Sequence, residues 1–313
     1  MTSTNGPVPP SGEQYKLAYG ELRAVVVEVG GALRDLRLRG RAVLDGYPVE
    51  EMCIAAKGQS LLPWPNRVEG GRYRFQGQDY QLALTEVERS NAIHGLVRWM
   101  PWSVVDAAAD RVVMGVRSHP QPGYPWTLDL RIDYTVAGDG LTVATTAVNR
   151  SDSPCPFAAG AHPYLTAGTP TIDDAVLELR AGGYLPTDER GIPTGRKAVA
   201  GSPYDFCSPR PIGTTEIDYA FLDLDRDAGG RATLTLSAPD GGASVALWAD
   251  AAYPYLEVFT ADTLPEGSRR TGLGVEPMTG PPNAFATGED LVVLGPGESW
   301  TGTWGITASL RAR

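Results

Sequence analysis

Histidine and cysteine, the side chains that most often carry metal or nucleophilic chemistry, are scarce in this 313-residue chain, with three of each. The cysteines, Cys53, Cys155 and Cys207, lie far apart and show no CxxC or zinc-finger spacing. That excludes a disulfide framework and a structural zinc site, and Cys155 and Cys207 read as small hydrophobes. The histidines, His94, His119 and His162, form no HxH or HExxH pair, so no local metal-ligand set exists and none is expected. A nucleophile elbow of the GxSxG type is missing, and so is a phosphate-binding GxxxxGK[ST] loop. Positive charge is also in short supply. Lys and Arg number 27 against 37 Asp and Glu, a formal net charge of −10, which argues against a nucleic-acid partner. No apolar run approaches the length of a membrane-spanning helix. The first residues lack the basic and apolar regions of a secretory signal, so the expected setting is cytoplasmic, away from membranes.

Glycine and proline are the surplus: 37 and 26 residues, about one in five together, where average usage is near 12%. Turns and special backbone positions are therefore abundant, and a long helical protein is excluded. Between the turns the grammar is that of strands. From Thr127 to Val136, apolar Leu128, Leu130, Ile132, Tyr134 and Val136 alternate with polar residues, the period of a half-covered strand. The turn Gly138-Asp139-Gly140 follows, and Leu141–Val148 returns. The pattern recurs at Ala232–Ser237 and Ala243–Trp248 around Pro239-Asp240-Gly241-Gly242, and at Arg72–Phe75 and Tyr80–Leu84 around Gln76-Gly77-Gln78. Further runs, including Leu22–Val29, Ala32–Arg39, Arg111–Arg117, Tyr255–Thr260 and Trp300–Ile306, complete an all-β reading. The expectation is a flexible lead-in over residues 1–14 and a single large antiparallel β-sandwich domain over 15–313, with few short helices.

Four segments are unusual for a plain sandwich. In Leu62-Pro63-Trp64-Pro65-Asn66-Arg67, prolines stiffen the backbone around an Asn-Arg pair. Asn91-Ala92-Ile93-His94-Gly95 and Gly160-Ala161-His162-Pro163-Tyr164 each hold one of the rare histidines. In Gly274-Val275-Glu276-Pro277-Met278 a carboxylate sits among apolar neighbours after an expected strand.

In this order, with Gly70-Gly71, Pro122-Gly123-Tyr124-Pro125 and Ile217-Asp218-Tyr219 between them, these motifs resemble the aldose 1-epimerase (galactose mutarotase-like) family from about residue 20 to 308. The forms Pro63-Trp64-Pro65-Asn66-Arg67 and His162-Pro163-Tyr164-Leu165 are closer to a bacterial subgroup that includes sulfosugar mutarotases. Met278 stands where many members have Gln, a difference that bears on the sugar more than on the reaction.

The resemblance implies a β-supersandwich and cofactor-independent interconversion of α and β anomers of a free aldohexose or related reducing sugar. It implies Glu276 as general base and His162 as general acid. Asn66, Arg67 and His94 would contact sugar oxygens, and Asp218 would accept from two neighbouring hydroxyls. Trp64, Trp99 or Trp126 is expected against the ring's C–H face. The chemistry is self-consistent: ring opening needs one group to take the anomeric hydroxyl proton and another to protonate the ring oxygen. A carboxylate and an imidazole, with reference pKa values of about 4.3 and 6.5, suit those tasks. Three alternatives stay open. One is a mutarotase for a sulfonated or phosphorylated sugar held by Arg67, Lys57 or Arg98. The others are a non-catalytic sugar-binding relative and a glycosidase pairing Glu276 with Asp218.

Overall fold

The computed structural model describes residues 6–311. Strands dominate, and among the described residues helix is confined to one four-residue turn, Ala284–Thr287, and two short 3-10 turns. No helix among the described residues is long and apolar enough to cross a membrane.

The longest hairpin follows directly from its sequence. Leu128–Ala137 and Gly140–Asn149 pair over their whole lengths, joined by the two-residue turn Gly138-Asp139. Leu128, Leu130, Ile132, Tyr134 and Val136 are all buried, and the alternating polar partners are not. This hairpin lies within a nine-stranded antiparallel sheet that ends at the edge strands Ser103–Ala107 and Arg210–Pro211. A four-stranded sheet, Gln14–Tyr19, Leu22–Val27, Leu33–Leu38 and Arg41–Ala42, flanks it. Of the segment expected as a lead-in, residues 1–5 fall outside the described residues. From Ser11 onward the chain is held by backbone hydrogen bonds, Val29 N–H to Ser11 O and Glu28 N–H to Glu13 O.

The third expected hairpin is tighter than its sequence suggested. Arg72–Phe75 pairs with Gln78–Gln81, not with Tyr80–Leu84. Gln76 and Gly77 both take positive φ, 49° and 83°, and so form a two-residue turn that matches strand twist; the return strand starts at Gln78.

An eight-stranded sheet carries the chemistry-bearing segments. Its order is Lys197–Ala198, Ala181–Leu185, Asp218–Leu224, Tyr255–Phe259, Leu273–Met278, Gly160–Ala161 and Ser60–Leu61, with Tyr164–Leu165 also paired to Leu273–Met278. One large apolar cluster takes side chains from both large sheets, among them Leu130, Val143, Leu234 and Leu247 from one and Phe221, Leu256, Val258 and Val275 from the other. Alternation then dictates the outer face of the eight-stranded sheet. With Leu256, Val258 and Val275 turned to the core, Glu257, Phe259, Gly274 and Glu276 take the opposite face. Glu276 lies inside this strand, not after one as the sequence suggested, because both faces of Leu273–Met278 are covered and no alternation marks it.

Candidate active site

Backbone register assembles the site. Gly160 pairs with Met278 and Tyr164 with Gly274, so the break in pairing at His162-Pro163 sets His162 opposite Glu276. Two backbone bonds pin that break: His162 N–H to Gln59 O at 3.0 Å and Gly58 N–H to His162 O at 2.9 Å. Pro163 leaves its carbonyl to accept from Val275 N–H at 3.0 Å. On the other side of the same strand Glu257 is the registered partner of Glu276. One strand further on, Asp218 pairs with Phe259 and so shares the face of Glu257 and Glu276.

The opposing wall is a two-stranded ribbon, Arg67–Glu69 with Asn91–Ile93. Its end is closed by a reciprocal pair of bonds: His94 N–H donates to Asn66 O at 3.0 Å, and Asn66 N–H donates to His94 Nδ1 at 3.1 Å. Since Nδ1 of neutral His94 accepts, its proton sits on Nε2, which remains a donor. Asn66 and His94 both adopt left-handed φ, 50° and 61°, backbone strain of the kind that accumulates at functional sites. Gly95 follows at φ 70°, and a Cβ there would stand 2.0 Å from Leu62 O, so only glycine fits.

All six residues singled out from the sequence, Asn66, Arg67, His94, His162, Asp218 and Glu276, line one cavity of about 400 Å3. His162 Nε2 lies 3.0 Å from Glu276 Oε1, and their side chains are 6% and 3% exposed. Glu276 Oε2 is buried with no donor among the described residues, an acceptor left for a ligand hydroxyl. The His162 ring stacks on Tyr164 at 4.9 Å with an interplanar angle of 10°, and meets His94 edge-on at 5.4 Å. Arg67 is held by a bidentate contact with Glu86, Nε to Oε2 at 2.9 Å and Nη2 to Oε1 at 3.1 Å. Two acids near it in sequence, Glu69 and Asp79, are engaged by Arg190 and Arg74.

Burial drives the electrostatics. Desolvation, reinforced by the Asp218 charge, pushes Glu276 well above the ordinary carboxylate range although Arg67 opposes it. Burial also lowers His162 to about 3, with the positive charges of Arg98 and Arg67 adding to the effect. His94 is depressed by burial and then by its neighbours His162, Arg98 and Arg67. Asp218 is raised by burial, against the pull of Arg67 and Arg89. Burial works against the charge of Arg67, but Glu86, Asp218 and Glu257 outweigh it and raise its pKa. Both shifts favour the neutral forms of the two partners, an imidazole without its second proton and a protonated carboxyl.

Several sequence expectations change. None of the three tryptophans lines the cavity: Trp64 packs against Phe285, Trp126 sits among Phe75, Tyr80 and Tyr124, and Trp99 is exposed beside Arg98. The aromatic lining is Tyr164 and Phe259. Lys57 is neutralised by Asp45 at 2.7 Å. Arg98 and Arg89 line the cavity, and no carboxylate among the described residues pairs with either. Cys207 is exposed, unlike the buried Cys53 and Cys155. His119 is an exposed loop residue. Sequence reasoning missed Glu257, which is 1% exposed. In the run Tyr255–Thr260 it resembles an outward, solvated residue, and only the pairing with Glu276 reveals its place. His94, His162 and Glu276 are also the trio among the described residues whose ligand atoms converge, all within 4.8 Å. Hydrogen bonds to Asn66 and between His162 and Glu276 account for that convergence, which suits proton transfer.

A sequence profile described as Aldose 1-epimerase matches residues 13–307. The uncharacterized protein YihR of Escherichia coli K12 is 35% identical over 289 residues, 92% of this chain and 91% of that protein. Human galactose mutarotase is 27% identical over 248 residues, 71% of this chain and 69% of its own. A GalM/aldose epimerase homologue from Caenorhabditis elegans superposes with a TM-score of 0.85 at 20% identity, covering 96% of this chain and 99% of that one. A supersandwich with these motifs in this order, matched over nearly its whole length, belongs to the aldose 1-epimerase family, whose members are isomerases.

Proposed function

We propose that the protein interconverts the α and β anomers of a free aldohexose or related reducing sugar by acid–base ring opening and reclosure, without a cofactor. The observation that carries this reading is the buried His162–Glu276 pair, 3.0 Å apart at the floor of a sugar-sized cavity, with Glu276 Oε2 unpartnered. In the productive tautomer His162 is protonated and Glu276 is a carboxylate. Glu276 takes the proton from the anomeric hydroxyl while His162 delivers one to the ring oxygen, and the C1–O5 bond breaks to give the open aldehyde. After rotation about C1–C2, His162 removes the proton from the O5 hydroxyl as that oxygen attacks C1. Glu276 returns its proton to O1, and the pair is restored with no net proton gained or lost. His94 Nε2–H and Arg67 donate to sugar oxygens, Asn66 fixes His94 through its backbone, and Asp218 accepts from neighbouring hydroxyls.

The test is NMR exchange between anomers across a panel of aldoses, with wild type and Glu276→Gln compared at equal concentration. Positioned proton transfer contributes about 10²–10⁴-fold, so the variant is expected to lose a factor of that order. Undiminished exchange in Glu276→Gln overturns the assigned base. A silent sugar-binding protein would give no exchange with any sugar in the wild type. A glycosidase would release the aglycone from a glycoside, and the group facing Glu276 at 3.0 Å, an imidazole, is not the second carboxyl that such a reaction uses.

A second reading, an anionic sugar, is favoured by Arg98, a half-buried cation beside the histidines that no carboxylate among the described residues neutralises. A sulfonate or phosphate would supply the missing partner. Replacing Arg98 with Gln then raises KM for a 6-sulfonated or 6-phosphorylated hexose and leaves the parent hexose unchanged. Equal effects on both reject this reading.

A further inference from the structure

The guanidinium of Arg67 is held by a closed circuit of contacts that runs through three segments of the chain. Glu86 takes its Nε and Nη2, while Nη1 has no acceptor among the described residues. The same carboxylate accepts from the Asn91 side-chain amide at 3.1 Å, and that amide also donates to Arg190 O at 2.9 Å. Arg190 in turn grips the strand and turn beside it. Its Nε donates to Arg89 O at 3.0 Å, its Nη2 to Ser90 O at 3.2 Å and its Nη1 to Glu69 Oε1 at 2.9 Å. Next along the chain stands Gly191, buried and at φ 75°. A Cβ on it would lie 2.7 Å from Arg67 Cζ and Nη1 and 2.8 Å from Nε, so bare glycine backbone packs against the guanidinium. The loop that presents this backbone is preformed. Asp188 Oδ1 accepts from Arg190 N–H and Ile192 N–H, both at 2.9 Å, and Asp188 O accepts from Gly191 N–H at 2.9 Å.

We propose that Gly191 is a positioning residue for Arg67: its backbone is the stop against which the guanidinium rests, and Arg190 fastens that stop to the turn 89–91. Gly191 touches no substrate; it acts through Arg67. Glu86 fixes one edge of the guanidinium plane and Gly191 limits the other, so Nη1 is kept in one orientation with its N–H donors uncommitted. A side chain held in place before the ligand arrives loses less freedom on binding than a loose one. The close approach also separates fit from folding. The atoms that a Cβ would meet are the tip of a flexible side chain, so Gly191→Ala displaces the guanidinium and leaves the sheets in place. Gly201 offers a matched comparison, since it has φ 74° and nothing within 4 Å of the position of a Cβ. Gly201→Ala therefore carries the same backbone strain and touches nothing.

This inference rests on the sugar contact proposed for Arg67, and one arm of its test is independent of that contact. The Nε–H NMR resonance of Arg67, assigned by its loss in Arg67→Lys, is recorded without sugar for wild type, Gly191→Ala and Gly201→Ala. It is expected to leave its wild-type position in Gly191→Ala, where the bond to Glu86 is disturbed, and to keep it in Gly201→Ala. An unmoved signal in Gly191→Ala overturns the proposal, and so does an equal shift in both variants. A wild type that exchanges the anomers of no sugar fails the proposed function and leaves this arm to decide the positioning. Anomer-exchange kinetics supply the second arm. KM in Gly191→Ala is expected to rise about tenfold, the scale of a weakened hydrogen bond to a charged group, while kcat stays within about twofold. Gly201→Ala is expected to stay within about twofold of wild type in both. An unchanged KM, a fall in kcat alone, or equal changes in the two glycine variants overturns the positioning role. Should Gly191→Ala not fold, Arg190→Gln, which loosens the loop and keeps Gly191, is expected to move the same resonance and raise KM. No change in either rejects the proposal.

Discussion

A histidine and a glutamate in contact have two ways to hold one proton, and their surroundings set the pH range over which they do so. His162 resists a second proton down to about 3, because burial and nearby arginines disfavour its cation. Glu276 is pushed upward by burial and by Asp218. The singly protonated pair therefore extends into the mildly acidic range, where a free imidazole is already protonated, and kcat is expected to stay level as pH falls from about 6.5 to about 5. Polarimetric rates across that interval check this; a fall near the ordinary imidazole value would place His162 in a wetter setting than its burial implies. At this scale most of the site is legible in the sequence. Asn66, Arg67, His94, His162 and Glu276 each sit in a short motif that contains Gly or Pro, and Asn66 and His94 take the left-handed backbone conformation. Glu257 carries no such mark. Its meaning lies in which residue faces it across the sheet, and pairing between distant segments is not written in local order.

Elements show the same division. The hairpin Leu128–Asn149 is visible as alternation because one face is buried and the other is not. The strand Leu273–Met278 is buried on both faces and contains Gly and Pro, so its period is hidden although it holds the general base proposed here. The ribbon that bears Arg67 and His94 depends on close approach of Gly95 to Leu62, whose carbonyl also accepts from Leu96 N–H at 2.7 Å. Gly95→Ala forces a Cβ into that carbonyl at positive φ, and the expected cost is about 1–3 kcal/mol. Urea unfolding measures it. Because the displaced segment fixes His94, anomer exchange should fall further than the loss of folded protein explains. A stable variant with full activity refutes the close-packing argument.

For the whole molecule, burying titratable groups ties stability to pH with a definite sign. Asp218, Glu257 and Glu276 have raised folded pKa values, so their contribution is present below their unfolded values, near 4.5 for the glutamates, and is lost as pH rises. His94 and His162 are depressed below 6.5; their contribution is present above that value and is lost as pH falls. Between the two limits the slopes oppose each other. The thermal midpoint is expected to be greatest between about pH 4.5 and 6.5 and to decline on either side. Glu257→Gln removes one of the carboxyl terms, so its alkaline decline should be shallower than that of wild type. A midpoint that climbs steadily to pH 8 would show these acids to be ionised at little cost.

The floor and the walls of the cavity come from different parts of the chain. His162, Asp218 and Glu276 are set by the pairing of the eight-stranded sheet, whereas Asn66, Arg67, Glu86, Arg89, His94 and Arg98 come from the segment between residues 66 and 98 that includes the ribbon. A mutation in the ribbon alters what the cavity admits without shifting the register that aligns the proton carriers. Diversification can therefore proceed on one stretch of about thirty residues while inheritance of the reaction stays with another. For an engineer, that stretch is the segment to randomise when a different sugar is wanted.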